Sequence, residues 1–186
     1  MSAPVFSHTQ EQMQQLTQDV LRYARQVGAT DASVEVNEAQ GLSVMVRKGR
    51  VETIEQNKDK GVSVTVYLGS EGHMRSGNAD TSDFSQPALK ATVEAAWNIA
   101  RFTAEDNCAG LPDAGQYEKN PRDLQLYHHW DIDAAQAVSL AQRCEAAAFA
   151  VDPRITNSEG AGVYAQHSQF MMANTRDFLG GYALAL

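Results

Sequence analysis

The run RITNSEGAGV, Arg154 to Val163, sets Ser158 beside Glu159 and just ahead of Gly-Ala-Gly. A serine next to an acid at a glycine bend is the raw material of a nucleophile turn, and Gly-x-Gly is that of a dinucleotide loop. Neither pattern is complete. A nucleophile elbow needs Gly-x-Ser-x-Gly between a strand and a helix, whereas Thr156 stands where the first glycine belongs and the sequence continues in strand-like fashion. Gly160 to Ala165 does spell GxGxxA, but a dinucleotide site also needs a following helix and, about 20 residues on, an acid in one βαβ unit, for which the remaining residues leave no room. The run therefore reads as a strand, a turn and the start of a second antiparallel strand. Gly160 or Gly162 should take a positive φ, and Ser158 should lack a histidine partner.

The other chemistry-bearing residues are scattered. His8, His73, His128, His129 and His167 form no HExxH and no i,i+4 pair on one helix face, and the neighbours His128 and His129 should diverge in their loop. No GxxxxGK[ST] phosphate loop occurs. Arg47, Lys48 and Arg50 cluster at a strand turn, as a solvated hairpin end or charge guarding an edge would. Trp97 to Phe102 and Phe170-Met171-Met172 read as core. No catalytic, cofactor-binding or metal-ligating residue is expected in this chain. Fifteen basic against twenty-three acidic residues, a net charge of -8, oppose a phosphate backbone, so nucleic acid is excluded as a direct partner. Cys108 and Cys144 make no CxxC and read as free thiols of a reducing compartment. MSAPVFSHTQEQMQQ has no basic leader, and no run approaches the ~18 apolar residues of a membrane span, so the expectation is a cytoplasmic protein without membrane contact.

Periodicity supplies the elements that must carry these residues. Met13, Leu16, Val20, Tyr23, Ala24 and Val27 predict a helix over 9–27, stopped by Gly28. The period then falls to two, through Ala32, Val34 and Val36, then Leu42, Val44 and Val46, then Val62, Val64, Val66 and Leu68, with turns expected at EAQG, RKGR and NKDKG. Links this short make the sheet antiparallel. The apolar parity slips between Val51 and Ile54, predicting a bulge, and residues 71–77 predict a further strand. A second helix follows, capped by Thr81 or Ser82 with Pro87 early and Leu89, Val93, Ala96, Trp97 and Ala100 on one face. Residues 103–130 predict a long ordered loop, and a third helix runs from Asp131 or Asp133 to Val151. The predicted fold class is α/β of the α+β type: an antiparallel sheet flanked by helices, followed by the start of a second β-rich domain. The divisions are an N-terminal domain over 1–130, a helix over 131–153 and the first strands of a second β region over 154–186. The final FLGGYALAL, apolar with no polar terminator, suggests a chain cut within that region.

Taken together, GLSVMVRKGRVETIEQNKDKGVSVTVYLGSEG, the helix preceding DNCAGL, RITNSEGAGV and NTRDFLGGY resemble the N-terminal region of the PmbA/TldE branch of the TldD/PmbA family. The resemblance spans nearly the whole chain. It implies a subunit of a cytoplasmic metalloprotease complex that processes or degrades unfolded peptides with a TldD-like partner. It also implies that zinc, bound by a histidine-glutamate-histidine signature with a cysteine, belongs to that partner and to a region beyond the one resembled here. None of the positions in this chain matches a family ligand. A rival reading from another class is a non-enzymatic module whose sheet edge binds peptides or a partner, including a modulator of DNA gyrase that acts by protein contact.

Overall fold

A computed structural model describes residues 5–185; residues 1–4 and 186, the outer ends of the two terminal runs read above, lie outside the described residues. Helix α1, Gln10–Gln26, opens on Thr9, whose hydroxyl accepts from the Gln12 N–H while the Gln12 side chain returns to the Thr9 N–H. This reciprocal cap satisfies two main-chain donors that the first turn would otherwise leave open. Strand β1, Asp31–Arg47, and strand β2, Arg50–Ser70, then form one long hairpin. Lys48 and Gly49 turn it with φ of 51° and 71°, the two left-handed positions of a type I′ turn.

The hairpin corrects the expected turns. EAQG and NKDKG are paired strand, with Glu38 opposite Lys60 and Gly41 opposite Asn57, so four short segments are two strands. The predicted bulge is present: Met45 pairs with Thr53 and Val46 with Val51, leaving Glu52 as the extra residue. Strand β3, His73–Thr81, begins within the predicted segment and outlasts it. Helix α2, Gln86–Phe102, starts later than expected, at Ser85 rather than Thr81 or Ser82, because β3 holds its pairing to Thr81. The connection from 103 onward has a single 3-10 turn at Ala114–Gln116. Helix α3, Ala134–Phe149, is capped by Asp133. Residues 154–157 are irregular rather than strand, and strands β4, Ala161–Asn174, and β5, Leu179–Ala185, finish the order β3-β2-β1-β4-β5, antiparallel throughout.

One face of this sheet carries the helices, and its register decides the layout. Across β1 and β4 the inward pairs run Val34–Ala173, Val36–Met171, Glu38–Gln169, Gln40–His167, Leu42–Ala165 and Val44–Val163. The first two join Val62, Val64, Val66, Met13, Val20, Leu89 and Val93 beneath α1 and α2. Val44, Val46 and Val163 lie under Ala137 and Ala141 of α3. Full burial of such aliphatic side chains stabilises by roughly 1.5–3 kcal/mol each, so the two clusters hold the fold. Phe102, expected in the core, is 85% exposed at the end of α2. Among the described residues no helix is long and apolar enough to cross a membrane.

Candidate functional site

Two polar pairs, Glu38–Gln169 and Gln40–His167, separate the apolar clusters on the inward face. Glu38 is 1% exposed and fully occupied: it accepts from the main-chain N–H of Ser7 at 2.8 Å and of His8 at 3.2 Å, and from Gln169 Nε2 at 3.3 Å. Burial alone would push its pKa up, but these bonds outweigh that and hold the carboxyl below its ordinary value. Gln169 Nε2 also donates to the His8 carbonyl at 2.7 Å, so this pair fastens the N-terminal segment to the sheet.

The second pair is not occupied in this way. Gln40 and His167 lie in a cavity of about 400 Å³ whose other walls include Gln56 and Lys58 of β2 and His129, Trp130 and Asp131 of the connection before α3. The His129 and His167 rings are 4.9 Å apart, and Tyr127 leans on His167 at 5.9 Å. Burial first, and then the neighbouring His129, hold the His167 pKa below its ordinary value. His167 is therefore a neutral imidazole near pH 7. Its Nδ1 is buried and has no hydrogen-bond partner among the described residues.

The quoted motifs of the sequence take structural positions. Ser158 Oγ donates to Glu145 of α3, not to a histidine, as expected. The two carboxylate oxygens of Glu145 also accept from the Lys48 and Gly49 N–H groups, each at 2.8 Å, and Arg47 Nε donates to the Ser158 carbonyl at 3.1 Å. The Ser158 bond first, then those from the turn, hold the Glu145 pKa below its ordinary value, which makes it a poor base for activating a serine. RITNSEG is thus a rivet that fixes the hairpin tip to α3. Gly160 is the glycine with positive φ, at 107°, and a Cβ there would stand 2.5 Å from the Val46 carbonyl. Arg176 of NTRDFLGGY makes a second rivet, pairing with Asp31 at 2.8 Å and donating to the Leu111 and Pro112 carbonyls at 3.3 Å.

The remaining feature is an edge. β3 covers β2 only from Val62 to Ser70, so over Val51–Lys60 the outer side of β2 has no strand beside it among the described residues. Val51 and Ile54 there are 45% and 49% exposed.

The donor set bears on the metal that the resemblance implies. Among the described residues no three His, Cys, Asp or Glu side chains come together as a metal centre requires. The cavity wall carries His129, His167 and Asp131, but these do not converge as three ligands and Lys58 stands among them, so the arrangement does not fit a peptidase zinc site. Sequence reasoning missed the His129–His167 contact, because its members are on a loop and on a strand far apart in the chain. The alternation Val163, Ala165, His167, Gln169, Met171 and Ala173 does, however, assign His167 to the inward face.

Residues 32–100 match the PmbA/TldA metallopeptidase domain 1, and residues 127–184 match the PmbA/TldA metallopeptidase central domain. The chain is 35% identical over 181 residues to the metalloprotease PmbA homolog of Haemophilus influenzae, a match over 97% of this chain and 39% of that protein. It is 38% identical over 151 residues to metalloprotease PmbA of Escherichia coli O157:H7, covering 81% of this chain and 33% of that one. The chain thus spans about two fifths or less of the curated relatives it matches. Among solved structures, a candidate modulator of DNA gyrase from Bacteroides thetaiotaomicron superposes with a TM-score of 0.76 at 21% identity, over 95% of this chain and 39% of that one. TldE from Thermococcus kodakarensis gives 0.66 at 14% identity, over 91% and 37%. At such identities these two structures share the fold.

Proposed function

The chain belongs to the PmbA/TldD metallopeptidase family, and from that premise we propose that it is the N-terminal part of a PmbA/TldE-like subunit that presents unfolded peptide to a TldD-like partner in a cytoplasmic metalloprotease complex. The observation that carries this reading is the unpaired outer edge of β2 over Val51–Lys60. An extended peptide laid there meets a row of main-chain donors and acceptors whatever its side chains, which is how a sheet accepts unfolded sequence of many kinds. The zinc chemistry of cleavage is assigned to the partner. The residues of this chain hold and align the substrate.

Two proline variants test the edge. Adjacent residues of a strand point their N–H groups to opposite sides, so of Ile54→Pro and Glu55→Pro one breaks the ladder to β1 and the other removes only an outward donor. The variant that keeps its circular dichroism spectrum should bind an unstructured peptide at least ~10-fold more weakly and slow cleavage by the reconstituted complex. Peptide binding and cleavage both unchanged in that variant would overturn the assignment. Peptide binding that needs the edge, with no cleavage when any TldD-like partner is added, would favour the non-enzymatic module instead.

A further inference from the structure

The cavity at His129 and His167 is the polar feature of the inward face that the rivets do not use. We propose that it binds the carboxylate of a peptide, with His167, His129 and Lys58 as its donors. This inference rests on the peptide-binding reading and names the chemical end of the substrate that the chain would grip.

The argument starts from an unmet valence. His167 is 8% exposed, and its buried Nδ1 makes no hydrogen bond among the described residues. A neutral imidazole always presents one N–H and one acceptor, and a buried polar group without a partner costs stability unless something else fills the place. The neighbouring Glu38, two residues along β1 on the same face, shows what a filled place looks like: every approach to its carboxylate is taken by Ser7, His8 and Gln169.

Donor chemistry then selects the ligand. Lys58, Gln40 and Gln56 line the cavity together with the two imidazoles, and Asp131 is the acid among its walls. A cation would have Asp131 alone to neutralise it and would stand against Lys58. A carboxylate can accept from an imidazole N–H and from the Lys58 ammonium at once, in the charge-assisted bonds that are the stronger class. A volume of about 400 Å³ suits a short peptide end rather than a lone ion. Position fits as well, because Gln56 and Lys58 belong both to the cavity wall and to the free stretch of β2. A peptide leaving that edge over the inward face meets Lys58 first and His167 at the far wall.

The test uses fluorescence anisotropy on the 186-residue chain with a chelator present. Three labelled, unstructured octapeptides are compared: one with a free C-terminus, its C-terminal amide, and that amide with one Gln changed to Glu. The free acid should bind at least ~10-fold tighter than the amide if the α-carboxylate is the ligand, and the Glu peptide should do so if a side chain is. Either result supports the site and assigns the source. His167→Phe and Lys58→Gln should each erase that preference while the melting temperature stays within a few degrees, whereas the folded proline variant of the β2 edge should weaken all three peptides equally. Equal affinities for the three, a preference that survives both His167→Phe and Lys58→Gln, or a preference that appears only when the chelator is replaced by zinc would overturn the proposal. Loss of the edge effect with the carboxylate preference intact would fail the edge reading alone.

Discussion

The two halves of the β1–β2 hairpin share one ladder and are held by different physics. In the half nearest β3, Val62, Val64 and Val66 are at most 1% exposed beneath two helices, with strands on both sides. In the far half, residues 50–60 are exposed throughout, one edge of β2 has no strand beside it among the described residues, and the tip is anchored by Glu145, Ser158 and Arg47. Continuous hydrogen bonding is common to both, so it does not account for the contrast. The near half is held mainly by buried area, whereas the far half adds a few directed polar bonds to a smaller cluster, Val44 and Val46 beneath α3. The half with less area is also the one that leaves main chain available to a ligand.

The comparison breaks most visibly at Gly160. A valine there must take a left-handed φ and press on the Val46 carbonyl, so Gly160→Val should destabilise by on the order of 3 kcal/mol or more and lower folding yield. A melting temperature within a few degrees of the parent would contradict the strain. Next comes Val64→Ala, expected at about 1–3 kcal/mol by urea unfolding, while Thr65→Ala on the opposite face should stay within about 0.5 kcal/mol. Equal losses at the two positions would mean that the faces are misassigned.

Acid should separate the halves without mutation. Glu145 is held below its ordinary pKa by the bonds it accepts, so its contribution is present above the ordinary carboxylate range and is lost as pH falls through the depressed folded value. The protection of the Lys48 and Gly49 amides against hydrogen exchange, taken relative to the intrinsic rate at each pH, should therefore fall on acidification before that of the amides around Val64 does. Simultaneous loss would show that the tip is not an independent unit. The smallest effect is expected for Ile54→Ala, within about 0.5 kcal/mol, since the side chain is 49% exposed on the bare stretch.

The same contrast explains what could be read from the sequence. Val34, Val36, Val44, Val46, Val62, Val64 and Val66 announced their face because burial demands alternating apolar residues. NKDKG was read as a turn because a solvated strand places no such demand and its glycine and lysines look like loop, and EAQG because its inward positions, Glu38 and Gln40, are polar where apolar residues would have marked a strand. The bulge at Glu52 was legible because it shifted the parity of Val51 against Ile54. Ser158 could be denied a nucleophile's role from its flanking residues, but its partner Glu145 was hidden, since only packing brings α3 to the hairpin tip. His129 and His167 were hidden for the same reason.

The central position of β1 has a consequence for how the chain folds. Its pairing with β2 closes through a two-residue turn, but its other side waits for β4, joining residues as distant in sequence as Ser33 and Asn174. Local contacts form early and closure over a long loop comes late, so the hairpin should exist for a time with both flanks of its far half uncovered. Exposed strand flanks of this kind recruit other copies of themselves. The charges of Glu52, Glu55, Lys58, Asp59 and Lys60 along β2 then act as gatekeepers during that interval, keeping nascent chains apart until β4 arrives.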